Sequence, residues 1–171
     1  MRRFLCFFLC CLLCISLLGC QKEAAPPIVK PVEFFYLQNA FSYTDTDTIF
    51  GSEQRESAGH EDDLVYLLNL YLSGPKSDTL LQPFPEDCTA VSYTKKNNAI
   101  TLTVSDALSD LTGMELTVAC VCLAKTVTGI TGFDTVIIQS QSQLLDGKKS
   151  ITIQNGKPII LDNYIAPIQT D

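Results

Sequence analysis

The chain holds one histidine, His60, and a Ser-His-Asp or Cys-His mechanism would have to run through it, because a hydroxyl or thiol nucleophile needs a base that titrates near neutrality. His60 stands between Gly59 and Glu61, just ahead of the acidic run Glu61, Asp62, Asp63, where a solvated loop residue is expected. No Gly-x-Ser-x-Gly elbow and no glycine-rich phosphate loop accompanies it. Asp45-Thr46-Asp47 has the spacing of the first two ligands of a calcium loop, but Phe50 occupies the sixth position, where the sharp turn requires glycine. A solvated acidic turn is the better reading. These residues predict no catalytic residue, no metal site and no cofactor.

Cysteine is the other reactive side chain, and its distribution is uneven. Five of the eight cysteines, Cys6, Cys10, Cys11, Cys14 and Cys20, fall in the first twenty residues. Met1-Arg2-Arg3 followed by an apolar run to Leu18, broken by Ser16, has the order of a secretory leader. Leu17-Leu18-Gly19-Cys20 closes it and looks like a bacterial lipobox, in which a small residue precedes the acylated cysteine. Cys6, Cys10, Cys11 and Cys14 follow Leu, Leu, Cys and Leu inside the apolar run, so Cys20 is the expected lipidation site. Acyl chains contribute about 0.8 kcal/mol per buried CH2, enough to hold the chain at a membrane when two or more are present.

Three cysteines remain for the folded part. Cys120 and Cys122 lie two residues apart in a predicted helix and so point about 200° apart, which prevents them from bridging each other. Buried thiols are the preferred reading, and a bridge from Cys88 to one of them is the alternative, since an exported chain permits disulfides. With no partner histidine nearby, Cys-x-Cys supports neither zinc nor thiol catalysis.

Charge narrows the partners. The 171 residues carry 12 basic and 19 acidic side chains, a formal charge of −7, and removing residues 1–19 with their two arginines makes it −9. Nucleic acid is excluded as a partner on this ground, because phosphate neutralisation needs clustered Lys and Arg. The only adjacent basic pairs after the leader are Lys95-Lys96 and Lys148-Lys149, both in predicted turns. An anionic bilayer would also repel this surface, so attachment to a membrane falls to the lipid at Cys20.

The remaining elements follow from periodicity. Residues 21–31 hold three prolines and no period that could bury a face, so 20–31 reads as lipidated cysteine and tether. Residues 32–37 are apolar on both alternating faces except at Glu33, which predicts a strand. Leu64, Leu67, Leu68 and Tyr71 predict a helix over 61–73, with acids at its start and Gly74-Pro75 at its end. Residues 76–87, with Pro83-Phe84-Pro85, read as a surface loop. A hairpin follows, with Thr89, Val91 and Tyr93 on one face, a turn at 95–98, and Ile100, Leu102 and Val104 facing the core. Residues 105–111 suggest a short helical turn. Thr112 and Glu115 then make a capping box for a second helix, with Leu116, Ala119, Cys120, Leu123 and Val127 inward and Gly129 ending it. Strands are expected at 133–138 and 151–153, with turns at Asp146-Gly147 and Asn155-Gly156. The order predicts an α+β fold, two helices packed on one face of a small mixed β-sheet.

Arg55-Glu56, the helix ending Leu72-Ser73-Gly74-Pro75, Pro83-Phe84-Pro85-Glu86, the hairpin through Leu102-Thr103-Val104-Ser105 and the helix from Gly113 leading to Phe133 and Val136 follow an order and spacing that resembles the GerMN domain. The resemblance covers residues 32–160 and leaves 161–171 as a C-terminal extension. It implies a two-layer sandwich akin to ring-building modules of secretion systems, in lipoproteins of Gram-positive bacteria concerned with sporulation, germination or envelope assembly. It also implies a protein-interaction role without catalytic residues, at the extracytoplasmic face of the cell membrane, with a protein or cell-wall partner. Interfaces concentrate their energy in aromatic and arginine anchors, which makes Tyr43, Arg55 and Phe84 the expected partner-binding residues. The competing expectation is a solute-binding or hydrolytic envelope lipoprotein, which would need a deep polar pocket with convergent carboxylates.

Overall fold

A computed structural model describes residues 30–39 and 49–157, and Cys20, Tyr43, Asp45 and Asp47 lie outside them. In chain order the elements are β1 (Pro31–Gln38), β2 (Phe50–Glu56), α1 (Leu64–Leu72), β3 (Leu80–Leu81), β4 (Ala90–Lys96), β5 (Ala99–Val104), a 3-10 turn (Asp106–Asp110), α2 (Gly113–Thr131), β6 (Thr135–Ser140) and β7 (Ile151–Gln154). The class is α+β. The strands divide between two sheets: an antiparallel one in the order β2-β1-β3, and a mixed one in the order β4-β5-β6-β7. In the mixed sheet β5 and β6 run parallel, because the chain crosses between them through α2, while β4 and β7 pair antiparallel at the edges.

Alternation in β5 does what the sequence predicts, with Ile100, Leu102 and Val104 buried, and Val136 and Ile138 of β6 are buried as well. The outer hairpin strand does not follow its expected face. Ala90 pairs with Val104 and Ser92 with Thr103, so Val91 is an extra residue, and this bulge leaves it exposed while Ala90 turns inward. Asn69 of α1 fixes the bulge by accepting from the Ala90 amide at 2.8 Å and donating to its carbonyl at 3.1 Å.

Helix α1 buries Leu64, Leu67, Leu68 and Tyr71 as its period predicts, but begins three residues later than expected. Asp63 is the N-cap, accepting from the Tyr66 amide at 3.0 Å, and Glu61 is drawn aside by the Ser57 hydroxyl. At α2 the expected capping box is not formed. Thr112 holds the N-cap position with no side-chain hydrogen bond, and the helix passes through Gly129 to end at Gly132, whose φ of 73° suits glycine. α2 is apolar and long enough to cross a bilayer. It is instead a core helix: it lies against β1 as well as β6 and β7, which buries Val121, Cys122, Ala124 and Thr126 beside the predicted stripe.

Both helices complete the backbone pairing of β1. Beyond the two residues of β3, the Phe35 amide donates to Thr126 Oγ1 of α2 at 3.0 Å, and the Phe35 carbonyl accepts from the Tyr71 hydroxyl of α1 at 2.6 Å. Buried backbone groups without partners are costly, so these two side chains act as a substitute strand. They also join the antiparallel sheet to the rest of the molecule.

Candidate functional site

The segment 76–87 does not run free over the surface. It contains β3, whose Leu80 is buried, and it carries Phe84 into a ring cluster around Tyr71. Tyr71 lies 5.4 Å from Phe34, 4.8 Å from Tyr36 and 5.3 Å edge-on from Phe84. Phe84 is 6% exposed, so the expectation that it is a surface anchor is corrected: it is a core aromatic.

Arg55 is corrected in the same way. Pairing of Arg55 with Val32 turns its side chain to the inner face of the antiparallel sheet, where it is 6% exposed and lies 5.5 Å from the Phe34 ring centre. Its Nε donates to Glu53 Oε1 at 2.6 Å, Nη1 to the Leu70 carbonyl at 2.9 Å, and Nη2 to the Tyr36 hydroxyl at 3.4 Å and to the Gly74 carbonyl. The guanidinium thus caps the C-terminal end of α1, favourable for the helix dipole and for carbonyls that have no helical partner. Glu53 extends the lock, its carboxylate accepting from the Lys76 and Ser77 amides at 3.0 and 3.1 Å. Partial burial raises the Glu53 pKa, but the Lys76 amide, Arg55 and the Ser77 amide outweigh it and hold the carboxyl below its ordinary value. Burial pushes the Tyr36 phenol up despite the nearby Arg55 charge, so it stays a neutral donor to the Tyr71 carbonyl at 2.7 Å.

The groups that could do chemistry are placed for other work. His60 stacks on Tyr66 with ring centres 3.9 Å apart, and the nearby Ser57 hydroxyl donates to Glu61 rather than to the imidazole. Cys88, Cys120 and Cys122 are free and buried. Burial pushes the Cys88 thiol up to about 11, and the Cys120 and Cys122 thiols up to about 12, the reverse of what a thiolate nucleophile needs. Among the described residues no cluster of His, Cys, Asp and Glu could hold a metal ion.

Sequence reasoning missed Asp106. Its carboxylate accepts from the Ser140 and Ser142 hydroxyls at 2.5 Å each and from the Ser142 and Gln143 amides at 2.9 and 3.3 Å, and these donors hold it well below the usual carboxylate range. It ties the 3-10 turn to the exit of β6. The alternating Gln-Ser run 139–143 stands in the sequence, but its partner depends on the β5–β6 register.

The surface offers a second arrangement that the sequence did not show. Leu81 of β3 pairs with Leu37 of β1, which pairs with Phe50 of β2, so the three share the outer face of the antiparallel sheet. Leu81 is 43% exposed, while Leu37, Phe50 and the neighbouring Phe35 are half-buried. From α2, the Lys125 ammonium reaches 5.2 Å from the Phe35 ring centre and 5.6 Å from that of Phe50.

No family model and no curated protein matches the sequence. Solved structures do resemble the fold. The tandem GerMN domains of the sporulation protein GerM from Bacillus subtilis superpose with a TM-score of 0.52 at 16% identity, over 79% of this chain and 48% of theirs. The chain therefore spans about half the length of that protein's structure. A candidate lipoprotein from Clostridium perfringens aligns with a TM-score of 0.46 at 16% identity, over 78% of this chain and 93% of its own. The described residues have a GerMN-like fold.

Proposed function

We propose that the chain is a lipid-anchored extracytoplasmic protein whose GerMN-type domain binds a protein partner or a cell-wall assembly, in sporulation, germination or envelope construction. The observation that carries this reading is the GerMN-like fold, which the chain shares with a sporulation protein. The polar chemistry of the domain supports a binding role over a catalytic one: Arg55 and Glu53 lock α1, Asp106 ties a turn, and the three thiols lie in the core. Anchoring rests on Leu17-Leu18-Gly19-Cys20, with Cys20 as the acylated residue and cleavage before it.

Membrane fractionation with mass spectrometry tests the anchor. Wild-type protein should yield an acylated N-terminal Cys20 peptide, and Cys20→Ser should remain uncleaved and unacylated. Lipid at Cys14, or an unmodified wild-type Cys20, would overturn it. Capture of envelope proteins by the lipidated chain, against the anchor with its tether alone, tests the binding role; equal recoveries from both would contradict it.

A further inference from the structure

We propose that the outer face of the three-stranded sheet, along Leu81, Leu37 and Phe50 with Lys125 at its margin, receives an apolar segment of a partner protein that carries a carboxylate. The inference rests on the interaction-module reading and places its surface.

The inner face of this sheet is fully used: Phe34 and Tyr36 lie in the core and Arg55 and Glu53 lock α1. The outer face has no such cover at its β3 end, where Leu81 is 43% exposed in line with two half-buried apolar neighbours. A row of apolar side chains crossing three strands offers a continuous strip, whereas the other exposed apolar residues, Val91, Met114 and Leu144, are not aligned by strand register with an apolar neighbour.

Charge selects the occupant. Lys125 is an exposed base on a chain of net charge −7, and its ammonium is held over Phe35 and Phe50 with no carboxylate in ion-pairing distance among the described residues. The acids on the same face, Glu33 and Glu56, stand toward the opposite end of β1 and β2 from Leu37 and Phe50, and Glu33 already accepts from the Ser52 hydroxyl at 2.7 Å. An incoming apolar segment bearing Asp or Glu would cover the leucines and Phe50 and bring its carboxylate to Lys125, where desolvation by the rings strengthens the pair. A second copy of this chain is a poorer fit, because two chains of this net charge repel.

Site-specific photocrosslinking of the full chain in its native membrane tests this. Leu81→benzoylphenylalanine should crosslink a partner protein through a peptide that contains apolar residues and an acid. Adding Lys125→Glu should cut that yield about tenfold while leaving the melting temperature unchanged. Leu144→benzoylphenylalanine, at a position 57% exposed on another part of the surface, should give little of the same product. A crosslink from position 81 to residues 40–48 of the same chain, or to a second copy, would overturn the proposal, as would a yield indifferent to Lys125→Glu. Partner capture by the wild type without any crosslink from position 81 would refute this surface alone. Absence of capture altogether would refute the interaction-module reading on which it rests.

Discussion

Replacing Arg55 with alanine distinguishes a fold keystone from a partner anchor. The substitution removes a buried guanidinium that donates to Glu53, to the Tyr36 hydroxyl and to the Leu70 and Gly74 carbonyls. The Glu53 carboxylate keeps its Lys76 and Ser77 amides but loses its ion-pair partner, which lies at 2.5 Å. Breaking a buried pair from one side costs about 3–5 kcal/mol. That is a large share of a total stability of about 5–15 kcal/mol. At about 4 °C per kcal/mol for a domain of this size, Arg55→Ala should lower the melting temperature by roughly 12–20 °C in circular dichroism or calorimetry. Arg55→Lys should recover only part of the loss, since one ammonium cannot reach Glu53 and two separate carbonyls as the planar fork does. A melting temperature within about 2 °C of wild type, accompanied by weaker partner capture, would refute the reasoning and restore Arg55 as a surface anchor.

Further expectations follow from the same contacts. Glu53 and Asp106 have folded pKa values below their unfolded ones, so the unfolded chain binds more protons on acidification; the stability they contribute is full above about pH 4.5 and falls as pH drops below the ordinary carboxylate range. Melting temperatures measured from pH 7 to 3 should show this decline, and Asp106→Asn should flatten part of it. A thiol reagent should leave Cys88, Cys120 and Cys122 unmodified in the native protein and react with all three in denaturant; rapid native labelling would contradict their burial. Leu68→Asp should unfold the domain, because it places an uncompensated charge at a position 0% exposed, at a cost of several kcal/mol. Gly51→Ala should destabilise it measurably by the same assay, as the added methyl would stand 2.5 Å from Leu80 Cδ2.

The local patterns were legible in the sequence. The 3.6-residue stripe of α1, the alternation of Ile100, Leu102 and Val104, and the Asp146-Gly147 turn, where both residues take positive φ, correspond to structure as read. Long-range register was not legible. Arg55 sits in the segment Phe50–Glu56, which is polar after its first residue and in which an arginine is expected to face a partner, and only its pairing with Val32 reveals that it faces the core. Phe84 between two prolines reads as a loop tip until β3 pairs with β1 and draws the segment inward. The same two-residue strand forms the β1-side edge of the three-stranded sheet and completes the Leu81, Leu37, Phe50 row, and nothing in Leu80-Leu81 alone announces it. Thr112 and Glu115 have the spacing of a capping box, yet Thr112 makes no capping bond, so position was legible there and the bond was not.

The claim that the domain acts by binding is tested most directly by complementation of a deletion strain with chains carrying His60→Ala, Asp45→Ala and Asp47→Ala, singly and together. Each should restore wild-type activity at wild-type expression and melting temperature, because no reacting group is being removed. A stable, correctly anchored protein made inert by His60→Ala alone, with its partner complex still intact, would contradict the account.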